Sequence, residues 1–186
     1  MKKVYIIHGW GATPHEGWRP WLKEELEKQG FDVELLEMPE TDNPTLEGWV
    51  GFMHMVIGMP DKNCYLVGHS LGCISILRYL ESIRGDVKIG GAVLVAGPAR
   101  DLGIKEVKSF FETDLNFLKI REHCKKFILI NSDNDYYIPL EHGEYLSANL
   151  DAELIVKPGM KHFSSADGFK ELPVVLESIL KIVPKE

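Results

Sequence analysis

A chain of 186 residues can bury one sizeable core and is short for two full domains. Its 45% hydrophobic and 26% charged residues describe an ordinary globular protein, and no stretch approaches the roughly 18 apolar residues of a membrane span. A formal charge of −7, with Lys and Arg clustering no further than pairs such as Lys125-Lys126, excludes the basic face that nucleic-acid binding requires.

In chain order, short apolar runs alternate with amphipathic segments, the pattern of βα units feeding a parallel sheet. The first strand is residues 3–7, ending in the loop His8-Gly9-Trp10-Gly11. That apolar run stops after four residues, too short for a signal-peptide core. A helix is expected over residues 18–29, closed by Gly30, then a strand over 33–38, and a helix over 46–57 after Pro39 and Pro44. The third strand, 64–67, runs into Gly68-His69-Ser70-Leu71-Gly72, and a helix over 73–83 follows. Strands are expected at 92–96, 127–130 and 153–156, with a closing helix over 168–181 whose Pro173 falls near its first turn. No repeat, linker or low-complexity tract interrupts the pattern, so a single domain is expected. Cys64, Cys73 and Cys124 have no C-x-x-C spacing and cannot all pair, which fits reduced thiols in a cytoplasmic protein.

Residues 97–126, between the fourth and fifth strands, offer the one place for a lid, and it is small. Phe110, Phe111, Leu115 and Phe117 are candidates to line an acyl pocket there. The commoner arrangement would have them pack one or two crossover helices onto the sheet.

Gly68-x-Ser70-x-Gly72 matches the nucleophile-elbow pattern, in which a strand turns sharply into a helix and only small residues fit two places either side of a strained serine. The pentapeptide alone is weak evidence; its place between a strand and an amphipathic helix strengthens it. A serine nucleophile needs a base, and in this architecture the partners follow in the order Ser, Asp or Glu, His. His162, after the sixth strand in Gly159-Met160-Lys161-His162-Phe163, has the right position. His8, His15, His54 and His69 break the order, and His123 and His142 fall within or beside helices. After the fifth strand, Asp133 and Asp135 compete for the acid. Asp135 is favoured because Ile138-Pro139 follows at a spacing that leaves its carboxylate in the turn, whereas Asp133 could cap or brace that turn. The oxyanion hole would take the Leu71 amide after the nucleophile and the Trp10 amide of the glycine-rich first loop. These loops converge if the sheet order is 2-1-3-4-5-6, which puts a switch point between the first and third strands.

With these residues in place, the chain resembles the small α/β-hydrolases related to retinoblastoma-binding protein nine, and especially their YdeN-type bacterial members. The likeness runs nearly end to end, through Val4-Tyr5-Ile6-Ile7-His8-Gly9, Trp21-Leu22-Lys23, Met38-Pro39, Leu66 to Gly72, Gly91 to Val95, His162-Phe163 and Gly168-Phe169. It implies a minimal six-stranded hydrolase fold without a large cap, and a triad of Ser70, Asp135 and His162. It further implies a serine hydrolase of esterase or amidase-like activity. Trp49 matches a tryptophan common in the group that would wall the pocket or pack. Two departures stand out. Lys161 replaces the usual glycine before the histidine, which would put a cation near the imidazole and lower its pKa. The Leu-x-Cys-x-Glu motif for retinoblastoma-type pocket proteins is absent from the sequence, so that partner is not expected.

The sequence therefore predicts a cytoplasmic serine hydrolase of small acyl esters that uses neither metal nor organic cofactor. Its expected partner is a small-molecule acyl substrate, with no nucleic acid or membrane. Amidase or thioesterase activity from the same triad, or a non-catalytic binding protein on a hydrolase scaffold, are the alternatives.

Overall fold

In a computed structural model, which describes residues 1–184, six parallel strands form one sheet in the order β2-β1-β3-β4-β5-β6. The strands are β1 (Lys3–Ile7), β2 (Asp32–Leu36), β3 (Cys64–His69), β4 (Gly91–Val95), β5 (Phe127–Ser132) and β6 (Glu153–Lys157). The helices are α1 (Arg19–Lys28), α2 (Leu46–Ile57), α3 (Leu71–Ser82), α4 (Phe117–His123), α5 (Leu140–Leu150) and α6 (Pro173–Ile182). The sequence order of the sheet is as expected. The chain runs outward one way from β1 to β2, then crosses back to β3 on β1's other edge, so the switch point lies between β1 and β3.

Strand residues alternate between two cores, as the two-residue pleat requires. Val4, Ile6, Tyr65, Val67, Val93, Val95, Ile128 and Ile130 face α1 and α6. Tyr5, Ile7, Leu66, Ala92, Leu94, Phe127 and Leu129 face α2, α3, α4 and α5. Every residue of β3, β4 and β5 is buried, which explains why these strands read as continuous apolar runs rather than alternating ones. Local signals set the helix ends: Thr45 Oγ1 accepts the Gly48 amide at the start of α2, and Gly30, at φ 83°, follows the close of α1.

The closing helix is shorter than its apolar stripe predicts. It begins at Pro173, where the fixed proline φ suits a first turn and no amide is lost. The preceding residues instead make a tight turn, Gly168 taking φ 89°. Between β4 and β5 the chain forms a 3₁₀ helix (Lys105–Phe111) and α4, which is the small crossover expected. Among the described residues, no helix is long and apolar enough to cross a membrane.

Candidate active site

β3 ends at His69 and α3 begins at Leu71, leaving Ser70 alone to make the turn at φ 52°, ψ −118°. A positive φ in a non-glycine residue costs about 1–3 kcal/mol and persists only where the surroundings enforce it. Here the Ser70 amide donates to the Val95 carbonyl at 2.9 Å, and the Ser70 carbonyl accepts the Cys73 amide at 2.9 Å. The flanking glycines are steric necessities. A Cβ on Gly68 would stand 2.8 Å from the Cys73 nitrogen, and one on Gly72 would meet the Ile7 and His8 carbonyls. Ser70 occupies the N-cap position of α3 without spending its hydroxyl on the helix amides. The hydroxyl therefore sits at the positive end of a 12-residue helix, free for other chemistry.

The loop after β1 lies directly against this turn: a Cβ on Gly9 would come 3.1 Å from Ser70 Cβ. His8 braces that loop from below. Its Nδ1–H donates to the Gly9 carbonyl at 2.8 Å, while Nε2 accepts the Met38 amide at 3.2 Å. That pattern requires a neutral ring. The Gly11 and Ala12 amides are committed to Thr41 and Gly9 carbonyls, and the Trp10 indole donates to Asp42 O at 3.0 Å. Trp10 and Leu71 both line the cavity that holds Ser70.

Asp135 and His162 meet across the ends of β5 and β6. His162 Nδ1 donates to Asp135 Oδ2 at 2.8 Å, with Oδ1 at 3.1 Å. The carboxylate is fully buried and also accepts the Tyr137 and Ile138 amides at 2.8 and 3.0 Å. With Nδ1 protonated toward the acid, Nε2 carries the lone pair and can accept a proton. Asp133 does something else: its Oδ1 accepts the Gly159 amide at 2.8 Å, tying the histidine loop to the β5 turn. Asn134 Oδ1 does the same for the Lys161 amide. Lys161 directs its ammonium to Asp167, 3.9 Å away, and its backbone bends at φ 49°.

Asp167 is a residue that motif reasoning passed over. Its Oδ2 accepts the His162 amide and the Ser164 hydroxyl, and Tyr136 OH donates to both its oxygens. Burial opposes its ionisation, yet these hydrogen bonds hold the carboxyl below its ordinary value. Ser164-x-x-Asp167 was the one local signal, an ordinary turn pattern that carries no hint of a histidine.

The cavity above Ser70 and His162 has a volume of about 240 Å³. Its lining combines the apolar residues Pro98, Leu102, Ile104, Val107 and Ile138 with the polar residues Glu16, Arg19, Ser164 and Ser165. The expectation that Trp49, Phe110 and Phe111 bind substrate has to be corrected. Trp49 and Phe110 are wholly buried, stacked edge to face at 5.8 Å, with Trp49 in turn 5.6 Å from His8. They support the first loop from the core. Phe111 lines a separate cavity beside Arg78 and Phe117. The cause is Arg78, whose guanidinium binds the Phe110, Thr113 and Asp114 carbonyls and turns this segment inward onto α3.

His69 is also buried and packs at 5.0 Å from the His162 ring, donating Nε2–H to the His162 carbonyl at 2.8 Å. Burial, above all other causes, lowers the pKa of both His8 and His69 from the ordinary 6.5. Unfolding returns both rings to water, where they take up protons below about 6.5. Their contribution to stability is therefore complete above that pH and is lost as pH falls toward the depressed folded values. The melting temperature should hold between pH 7 and 8 and drop steadily below 6.5. The slope should be shallower in His69→Gln, and a wild-type melting temperature unchanged from pH 7.5 to 5 would contradict this account.

Among the described residues, no group of three or more His, Cys, Asp or Glu side chains is arranged to hold a metal ion. A strained serine between a strand and a helix, on a parallel sheet in this order, defines an α/β-hydrolase. The chain matches the family model described as Serine hydrolase over residues 4–181 and belongs to that family. It is 35% identical over 186 residues to the putative hydrolase YdeN of Bacillus subtilis (strain 168), covering all of this chain and 98% of the relative. It is 27% identical over 183 residues to the serine hydrolase RBBP9 of Rattus norvegicus, covering 96% and 95%. The crystal structure of the B. subtilis ydeN gene product superposes with a TM-score of 0.94 at 34% identity, over 98% of both chains. Est1E from Butyrivibrio proteoclasticus shares the fold, with a TM-score of 0.76 at 18% identity over 99% and 89% of the chains.

Proposed function

We propose that the protein is a carboxylesterase-like serine hydrolase of small acyl esters. The supporting observation is the buried Asp135–His162 pair, which opens onto the same cavity as the strained Ser70. His162 Nε2 takes the Ser70 proton as the hydroxyl oxygen bonds to the ester carbonyl carbon, and the carbonyl oxygen becomes an alkoxide. The Leu71 and Trp10 amides receive that alkoxide. Its collapse expels the alcohol, protonated by the imidazolium, and leaves an acyl-serine. Water, deprotonated by the same imidazole, repeats the sequence and releases the acid. Asp135 holds the imidazole tautomer and stabilises the transient imidazolium.

A cavity of about 240 Å³ lies below the usual 300–1,000 Å³ of drug-sized sites, which supports short acyl groups. Three buried cysteines without disulfides support a reducing, cytoplasmic setting.

The test is a panel of p-nitrophenyl esters from acetyl to dodecanoyl, with matched thioesters and anilides. Ester kcat/KM should peak at or below hexanoyl and fall by octanoyl. A steady rise through octanoyl would defeat the small-acyl reading, and a better than tenfold advantage for the thioester or anilide would move the activity to that class.

A further inference from the structure

Two arginines are buried, and they differ in what their guanidinium groups do. Arg78 is spent on structure: Nε donates to Phe110 O, both terminal nitrogens reach backbone carbonyls, and Nη1 also pairs with Glu81 at 2.8 Å. Arg19 is only 2% exposed, at the first position of α1, and lines the cavity that contains Ser70 and His162. Its Nη2 donates to Thr13 O at 2.7 Å, and its Nε is buried with no hydrogen-bond partner. No carboxylate among the described residues forms an ion pair with it. Glu16 lines the same wall, but its carboxylate accepts the Thr13 hydroxyl at 3.0 Å and acts on Arg19 only at longer range.

A buried cation without a paired anion is costly, because desolvation is not offset by a short contact. Burial pulls the Arg19 pKa down to about 10, so the group is still charged at neutral pH. Its charge also reaches His8, beside Gly9, and His69, beside Ser70; burial is the main cause that disfavours protonation of both, and Arg19 adds to it, at His69 after His162. Arginine also has the geometry for the missing partner, since its planar fork matches a carboxylate with two parallel N–H donors. The same cavity is also lined by Ser164 and Ser165 and by the hydrocarbon surface of Pro98, Leu102, Ile104 and Val107.

We infer that Arg19 is a specificity-determining residue that receives a carboxylate on the substrate, so that the preferred esters are short and anionic. This rests on the esterase reading above and narrows it. The apolar wall takes the hydrocarbon part, Ser70 attacks the ester carbonyl, and Arg19 anchors the charged end. The carboxylate belongs either to the acyl group or to the alcohol, and matched substrates separate these sources.

Monomethyl glutarate against methyl valerate places the charge on the acyl side, and 4-acetoxybenzoate against phenyl acetate places it on the leaving group. For one of the two pairs, the wild-type kcat/KM should favour the charged ester by about tenfold or more, the scale expected of a charge-assisted bidentate contact. Arg19→Gln should reduce that ratio to within about twofold, and Arg19→Lys should keep part of it. A wild type with no preference in either pair, or a preference that survives Arg19→Gln, overturns the proposal.

Should Arg19→Gln fail to fold, inhibition of the wild type decides. Benzoate should inhibit neutral-ester turnover at about one-tenth of the benzamide concentration or less, and equal inhibition overturns the proposal. Should no ester be cleaved at all, the esterase reading fails. Calorimetric titration of the Ser70→Ala protein with benzoate and benzamide then judges the anion site alone: selective benzoate binding supports it, and none overturns it.

Discussion

Ser70→Ala should eliminate covalent labelling by a fluorophosphonate and lower ester kcat by about 10⁴-fold or more. No neighbouring group can replace the hydroxyl as nucleophile: the adjacent His69 ring is buried and engaged with the His162 carbonyl, and Cys73, though on the next turn of α3, is wholly buried. Burial pushes the Cys73 thiol well above its ordinary range, so it supplies no thiolate. Alanine keeps the Cβ and so the same backbone strain at φ 52°, and the melting temperature should change little. Labelling of the wild type between pH 6 and 9, compared with the variant, measures this directly. An absence of Ser70-dependent labelling across that range would favour the alternative of a binding protein on a hydrolase scaffold.

Asp135→Asn should reduce kcat by about 10⁴-fold while KM changes little. The amide oxygen of asparagine can still accept the Tyr137 and Ile138 amides, so the turn survives. Its NH₂ would then face His162 Nδ1 as a donor, fixing the imidazole with its proton on Nε2. In that tautomer the ring cannot take the serine proton, and the imidazolium has no counter-charge. The same substitution at Asp133 is the control. That side chain accepts only the Gly159 amide in this region, so Asp133→Asn should cost less than about tenfold, with a small loss of stability. If the two variants lose comparable activity, the role assigned to Asp135 is wrong and both aspartates serve the loop. Stopped-flow or steady-state kinetics on acetyl ester, with melting temperatures alongside, separates these outcomes.

Much of this site could be read locally. The β3–Ser70–α3 junction was legible because its requirements are short-range: an apolar run, small residues two places either side of the serine, then helical periodicity. The sheet order expected from the convergence of the predicted loops, with which right-handed βα crossovers are consistent, is the one observed. The first loop was legible as a glycine-rich turn after a strand, while its close approach to Ser70, where a Cβ on Gly9 would come 3.1 Å from Ser70 Cβ, is a contact between distant segments.

Other features depended on which residues the fold brings together. The spacing before Ile138-Pro139 favours Asp135 over Asp133 without placing either carboxylate; the contact with His162, 27 residues away in sequence, separates the partner from the brace. For Trp49 and Phe110 the sequence left pocket wall and core packing both open; the structure gives packing, Phe110 because Arg78 draws the 3₁₀ segment onto α3 and Trp49 because it stacks edge to face on Phe110. α6 begins at Pro173 rather than at 168 because a periodic apolar stripe does not reveal the turn at Gly168, beside the Asp167 that accepts the His162 amide.

Local pattern carries the scaffold and the turn that seats the nucleophile, because the requirements of strand, turn and helix act mainly between near neighbours. Contacts between distant segments supply the surroundings: the meeting of Asp135 with the imidazole, the burial of Trp49 and Phe110 in the core, and an Arg19 buried without an ion-pair partner among the described residues in the cavity wall. Electrostatics and burial are sums over distant segments, and no local pattern encodes them.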